Sequence, residues 1–391
     1  MGPGRSYKFP WRVDNHFETL VDSTEFFPRM LAAIGVARRF LLLEMYLVES
    51  GTVADRFIDA LLETAERGVR VYLLFDDYGS VKLNPRDRKR LLHRNIQTVF
   101  YNPLPSYSIL HNVYRIVWRH INRGLYRNHR KLLLIDGTLA FAGGAGITDA
   151  VDVPDTPEMR WRETMIAIQG PVLEDWQQLF TESWNRYAKQ SLTLPDVTLT
   201  SFDNGPPGRV TVNERHRTGI QRSLLKQLKS ARQRIWFSTA YFFPSWNIRR
   251  KLKRAARAGV DVRLLLPGPV TDHPGARYAS HRFYGRLLKN GVRIHEYTPR
   301  FLHAKTVLCD DWVTIGSCNY DRWNLLWNLE ANQEIQNRDM AAKVAGIFMN
   351  DFANSREITP GEWAQRSWRL RILEWFWKQV EFLSLKIRRR R

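Results

Sequence analysis

Two histidines and two lysines in this chain have the types and spacing needed for displacement at phosphorus. His129 and Lys131 stand in NHRKLLLIDGTLAFAGGAGITD, and His303 and Lys305 in LHAKTVLCDDWVTIGSCNYD. Asp136 and Asp310 complete the same pattern, H-x-K-x4-D, in both places. One imidazole can attack phosphorus while the other protonates the departing alkoxide. Two ammonium groups can neutralise the equatorial oxygens with no metal ion. One copy of so short a pattern is weak. Two copies 174 residues apart, each followed by a small-residue pair (Gly143-Gly144 and Gly316-Ser317), are a strong signal.

The segments that must position these side chains repeat as well. RFLLLEMYL (39–47) answers RIWFSTAYF (234–242), ERGVRVYLLF (66–75) answers RAGVDVRLLL (257–266), and IQTVFYNP (96–103) answers VRIHEYTP (292–299). The offsets agree within a few residues and then shrink at the motif, so the first half carries about 22 extra residues between Pro103 and His129. LLLEMYLV, VRVYLLF, KLLLID and LAFAGG are expected strands of the first half, and RIWFSTAYF, VDVRLLL, KTVLCD and VTIGS of the second. TVADRFIDALLETAERG and WNIRRKLKRAARAG are expected crossover helices. Phe57, Leu61, Leu62 and Ala65 fall on one face of the first, and Gly68 and Gly259 stop the two. The alternation implies an α/β fold with a largely parallel sheet in each half. Pro, Gly, Asp and Asn cluster over 191–209, the expected linker. The expected domains are therefore 13–190 and 210–358, with 361–391 outside the duplicated unit.

Composition narrows the partners. The chain has 391 residues and a formal charge of +21, which favours a polyanion, either nucleic acid or an anionic membrane. Cys309 and Cys318 are the only cysteines, which excludes a disulfide scaffold and suits a reducing cytoplasm. No His/Cys/Asp cluster has metal-ligand spacing, so neither a metal nor another cofactor is expected. The N-terminal MGPGRSYKFPWRVDNHF has no apolar core of a signal peptide. No apolar run approaches the ~20 residues that span a bilayer. Contact with lipid would then be made from the surface.

Two segments suit that contact. In GEWAQRSWRLRILEWFWKQVEFLSLKIRRRR (361–391), Leu370, Leu373, Phe376, Trp377, Val380, Leu383 and Ile387 follow helical spacing, with Trp375, Phe382 and Leu385 on another face. Arg388 to Arg391 close it with four charges. A basic, Trp-rich amphipathic helix can lie in a membrane interface. The insertion SYSILHNVYRIVWRHINRGLYR (106–127) carries a stripe of Leu110, Val113, Tyr114, Val117 and Ile121, and is expected to form either a lid or lipid-access lip or an ordinary peripheral helix with a buried stripe.

From about residue 13 to 358 the chain resembles the phospholipase D superfamily, and within it the bacterial cardiolipin synthases. YRNHRKLLLIDG, WRETMIAIQGPVL (161–173), RAARAGVDVRLLLPG (254–268), FYGRLLKNGVRIHEY (283–297), LHAKTVLCDDWVTIGSCNYD and NLEAN (328–332) carry the resemblance. It implies two tandem phospholipase D-like α/β/α domains related by pseudo-two-fold symmetry, with the C-terminal amphipathic helix added. It also implies that His129 and His303 face each other. By analogy His129 is the nucleophile and His303 the acid and base, with the reverse assignment open. Gly144, Ser317 and Asn319 are expected to bind the substrate phosphate. Family motifs end in Gly-Gly/Ser-x-Asn, and the first copy departs from this with Gly146 in place of Asn. Glu163 and Glu330 lie at matching positions, 34 and 27 residues after the motif histidine of their own half, and are expected to orient the imidazoles. Asp136 and Asp310 belong to the catalytic motif but are expected to tie down the loop after its strand more than to touch substrate.

The resemblance implies a cardiolipin synthase. Such an enzyme transfers a phosphatidyl group between anionic phospholipids, with phosphatidylglycerol as donor, through a phosphohistidine. It would sit peripherally on the cytoplasmic face of the cell membrane. The other readings are a phospholipase D hydrolase, a phosphatidylserine synthase-like transferase, a nuclease using the same histidines, and a non-catalytic binding protein. The aromatic C-terminal helix favours lipid over nucleic acid.

Overall fold

The computed structural model describes residues 7–103, 126–153, 156, 159–195, 199–214, 217–321, 325 and 328–389. The insertion stripe over 106–127 falls almost wholly outside these residues.

By internal contacts the chain divides into two compact units. The first comprises 1–220 with 314–318 and 324–336, and the second 221–313 with 319–323 and 337–391.

The first unit contains β1 (His16–Val21), α1 (Ser23–Gly35), β2 (Phe40–Met45), α2 (Thr52–Glu66), β3 (Arg70–Asp76), α3 (Pro85–Arg90) and β4 (Ile96–Tyr101). These are followed by β5 (Lys131–Ile135), β6 (Leu139–Gly143), β7 (Thr164–Gln169) and α4 (Leu173–Tyr187). Its strands lie in the order β1-β7-β6-β5-β2-β3-β4. Later segments add β8 (Gly208–Glu214), β9 (Arg217–Thr218), the end of β14 (Trp312–Gly316) and β15 (Glu330–Gln336). β15 pairs antiparallel with β8, from Glu330↔Asn213 to Ile335↔Gly208.

The second unit contains α5 (Gly219–Ser230), β10 (Arg234–Ser238), α6 (Trp246–Arg257), β11 (Asp261–Pro267), α7 (Pro274–His281), α8 (Tyr284–Leu288), β12 (Arg293–Tyr297) and β13 (Thr306–Cys309). α9 (Arg338–Ala353), β16 (Ser355–Ile358), α10 (Pro360–Gln365) and α11 (Trp368–Arg389) complete it. Its strands run in the order β16-β12-β11-β10-β13.

The expected strands and both crossover helices are present. The expectation of a largely parallel sheet is corrected. Only β2-β3-β4 and β10-β11-β12 run parallel, whereas β1-β7, β2-β5, β5-β6 and β6-β7 are antiparallel. The cause is connection length. A crossover helix such as α2 returns the chain in the same direction, while a tight turn such as Asp136-Gly137 reverses it.

β2 is buried along its whole length. Leu41, Leu43 and Met45 enter the core that holds α1 and α2, with Phe57, Leu61 and Ala65 of α2 packed into it and Leu62 partly buried against it. The helices stop where expected, at Gly68 and Gly259, whose φ of 92° and 86° is costly for any side chain with a Cβ. Both cysteines are buried free thiols, and burial pushes the Cys309 thiol far up.

Candidate active site

His129 stands immediately before β5, and the residues on either side of it are buried in a polar network. The Asn128 N–H donates to Asp76 Oδ2 at 2.8 Å, and its side chain donates to Glu44 Oε1 at 2.6 Å. Arg130 donates to Ser183 Oγ on α4 at 2.8 Å and to Glu214 Oε1 at 2.9 Å. In extended backbone, alternate side chains take opposite faces, so anchoring Asn128 and Arg130 turns His129 the other way. Burial pushes Glu44 up, against the pull of Arg130 and Asn128. Burial also lifts Asp76 to about 6, against Arg127 and the N–H groups of Asn128 and Gly79.

On one side of the His129 ring, Nδ1 faces acceptors. Nδ1 lies 3.1 Å from the Ser317 carbonyl and 3.0 and 3.2 Å from the two oxygens of Glu330, which is fully buried. A carbonyl can only accept, so Nδ1 carries a proton, and in the neutral ring the lone pair is then on Nε2, the form a nucleophile requires. The ring is stacked at an angle on Tyr46, 4.6 Å between centroids. Lys131 Nζ lies 5.1 Å over the same tyrosine and donates to the His129 carbonyl at 2.7 Å. Burial, then Asp76, holds the Tyr46 phenol far above its ordinary value, so it stays protonated.

The carboxylate on His129 is Glu330, 201 residues further along the chain. Main-chain contacts bring it there: the His129 N–H donates to the Leu329 carbonyl at 3.0 Å, and the Leu329 N–H to the Arg127 carbonyl at 2.9 Å. Glu163, also fully buried, accepts from the Thr164 N–H at 2.9 Å. Gly144 lies so close to Glu163 that a Cβ there would come within 2.5 Å of Oε2.

Ser317 contacts the Glu330 carboxylate. Its hydroxyl donates to Glu330 Oε2 and accepts from the Ala331 N–H at 3.1 Å. A buried carboxylate needs donors, and the Ser317 hydroxyl supplies one here. Gly146, where the motif's Asn was missing, has a steric cause: a Cβ would lie 2.8 Å from Leu47 Cβ and 3.0 Å from its carbonyl oxygen.

In the second unit, Lys305 is fully buried and donates to the His303 carbonyl, as Lys131 does in the first copy. Its Nζ also lies 2.8 Å from His303 Nδ1. The two imidazoles are therefore held by unlike groups, one by acceptors and one by an ammonium. Asn319 is buried in the same unit.

Asp136 and Asp310 do different work from the rest of the motif. Asp136 accepts from the N–H groups of Arg38, Arg39 and Phe40 at 2.8, 2.8 and 2.9 Å. Asp310 accepts from Arg232, Gln233 and Arg234 at 2.8, 2.9 and 3.0 Å. Both have left-handed φ, 52° and 51°. Each stands about five residues beyond its lysine, roughly 16 Å along an extended strand. Their contacts are those of turn anchors. Asp136→Ala is expected to cost about 2 kcal/mol in urea unfolding, with Asp136→Asn milder because Asn tolerates this backbone. The folded fraction should turn over substrate at near the wild-type rate; a stable variant without activity would put the carboxylate back in the chemistry.

Sequence reasoning missed Glu44, Asp76, Asn128 and Tyr46. The signal for the first was an acid inside the otherwise apolar strand FLLLEM. Beside this site lies a cavity of about 540 Å³ lined by Tyr101, Tyr126, Tyr187, Arg186 and Leu329, the residue whose carbonyl holds the His129 N–H.

Known proteins are similar to this chain. A family described as cardiolipin synthase, PLD-like domain, matches residues 30–184 and 224–352. Cardiolipin synthase B of Escherichia coli (strain K12) is 32% identical over 349 residues, 85% of this chain and 79% of that protein. Cardiolipin synthase of Halalkalibacterium halodurans is 28% identical over 374 residues, 93% of this chain and 71% of that protein. In fold, the crystal structure of phosphatidylserine synthase from Haemophilus influenzae Rd KW20 matches with a TM-score of 0.68 at 11% identity, over 97% of this chain and 96% of that one. With two matched segments holding the two H-x-K pairs, and relatives of this identity along most of its length, the chain belongs to the cardiolipin synthase family with PLD-like domains.

Proposed function

We propose that the protein is a phospholipase D-type phosphatidyltransferase that works as a cardiolipin synthase, with phosphatidylglycerol as donor. His129 Nε2 attacks the donor's phosphorus, the bond from phosphorus to the glycerol oxygen breaks, and His303 gives that oxygen its proton. A headgroup hydroxyl of a second phospholipid then loses its proton to His303 and displaces His129, restoring both imidazoles. Lys131 and Lys305 offset the charge on the non-bridging oxygens. Glycerol leaves, and the two phosphatidyl groups end on one glycerol.

The observation that carries this reading is the His129 ring, with Nδ1 committed to Ser317 and Glu330, Nε2 left with its lone pair, and buried Lys131 alongside. The acceptors at His129 Nδ1, against the ammonium at His303 Nδ1, support the nucleophile's role for His129.

Purified protein incubated with phosphatidylglycerol vesicles should yield cardiolipin and glycerol in equal amounts by mass spectrometry. Phosphatidic acid alone would make it a hydrolase. Serine incorporation would make it a phosphatidylserine synthase-like transferase. Nucleic-acid cleavage without lipid turnover would sink the lipid reading. Activity should persist in EDTA, since no group of three His, Cys, Asp or Glu suited to a metal occurs among the described residues. Loss on chelation, restored by Mg²⁺, would overturn the metal-free mechanism.

A further inference from the structure

The C-terminal helix α11 is clamped to the second unit by one face and leaves the opposite face bare. On the clamped side Glu374 is buried, with Oε1 3.1 Å from His281 Nδ1 on α7 and Oε2 accepting from Arg366 Nε at 3.1 Å. His281 Nε2 lies 3.1 Å from Glu296 Oε1 on β12. Trp377 lies so near Gly275 that a Cβ there would come within 2.6 Å of the indole. Trp363 of α10 adds ring contacts to His281 and Tyr284. Leu370, Leu373, Glu374 and Trp377 thus share the inner side.

At 100° per residue, Trp368, Ile372, Trp375 and Phe376 fall within about 100° of arc on the other side. They are 65, 55, 60 and 50% exposed. Exposed Arg369 and Arg371 stand one at each edge of this stripe. Four large apolar side chains contiguous on one helix face are rarely left to water without a function.

The neighbouring helices supply the complementary charge. α6 carries Arg249, Arg250, Lys251, Lys253, Arg254 and Arg257 with no acidic residue, and has Trp246 exposed at its start. Burial, then Lys229, Arg250 and Arg254, holds Lys251 below its ordinary value. Burial, then Arg282 and Arg286, does the same to Arg249. Cations that depress one another gain most from an anionic partner. α6 contacts α8, α8 contacts α7, and α7 contacts α11, so the basic and aromatic surfaces belong to one connected layer of helices.

We propose that this layer docks the enzyme on an anionic lipid bilayer. The Trp368–Ile372–Trp375–Phe376 stripe enters the boundary between headgroups and acyl chains, and the cations of α6 rest on lipid phosphates. No helix among the described residues is long and apolar enough to cross a membrane, so the contact is made in the interface. The inference rests on the reading that the substrate is a membrane phospholipid, and adds which surface meets the membrane. It also makes α11 a fixed part of the body and not a loose tail, so docking sets the orientation of the enzyme.

The test uses the full chain, co-sedimented with phosphatidylglycerol-containing vesicles, and three variants: Trp375→Glu with Phe376→Glu, Trp368→Glu alone, and Arg250→Glu with Arg254→Glu. The aromatic pair should weaken vesicle binding by about tenfold or more, and Trp368→Glu by less. The arginine pair should weaken it about tenfold or more at low salt, with the difference fading at high salt or on phosphatidylcholine vesicles. Melting temperature and turnover of lipid in detergent micelles should stay near wild type for all three. Wild-type vesicle binding by the aromatic pair would overturn the proposal. So would a collapse of melting temperature in both aromatic variants, which would make the stripe part of the fold. Nucleic-acid binding that the aromatic pair abolishes, with vesicle binding intact, would assign the face to nucleic acid. Vesicle binding as expected, with no micellar turnover by the wild type, would leave the surface standing and sink the lipid-transfer reading.

Discussion

Alanine at His129 or at His303 is expected to lower phosphatidyl transfer by about 10²–10⁴-fold, because each imidazole has its own duty in one cycle. The melting temperature should move little for His129→Ala: the ring stands at the edge of the buried network, and the anchoring is done by Asn128 and Arg130. The two variants should fail at different steps. Without His129 no phosphorylated protein can form. Without His303 the leaving glycerol lacks a proton donor, so poor leaving groups suffer more than a substrate carrying a p-nitrophenolate. Retention by either variant of more than about a tenth of the wild-type rate would contradict the two-histidine mechanism.

Glu330→Gln should cost nearly as much, about 10²–10³-fold in kcat. The substitution keeps the shape of a fully buried side chain but removes the charge that faces Nδ1. Glu330 touches His129, and its effect reaches the lipid only through that ring. The KM for phosphatidylglycerol should therefore change by less than about threefold, and that split separates positioning from binding. Ser317→Ala should follow in the same direction with a smaller loss, since it removes one donor to Glu330. A Glu330→Gln enzyme with half its activity or more would mean that the Ser317 carbonyl alone fixes the tautomer.

Much of this was legible because apolar runs bounded by turn residues leave little choice. KLLLID and LAFAGG can only be short buried strands, and the repeated lysine two positions after each histidine marks where they begin. What the sequence withheld were contacts made across long stretches of chain. HFETLV, strand β1, becomes a strand by pairing with Thr164–Gln169, which no local pattern announces. Glu330 was recognisable as a candidate from its spacing. Which imidazole it meets could not be read from one repeat at a time, because the pairing of Asn128 with Leu329 joins segments far apart in the chain. On α11, helical spacing grouped Phe376 with Leu370, Leu373 and Trp377. The structure turns Phe376 outward, because Glu374 is drawn inward by His281 and Arg366 and so fixes the rotation of the helix.

The reach of Glu330 back to His129 also bears on how the protein is made. During synthesis the first half of the chain emerges with its histidine, lysine and polar network in hand, yet without the carboxylate that completes them. β8 likewise waits for β15. A nascent chain released before residue 330, or a proteolytic fragment of the first half, would carry the whole H-x-K motif and still lack an aimed nucleophile. Such non-local closure is slow to fold. In return, the arrangement at His129 is completed only once residue 330 has been added to the chain.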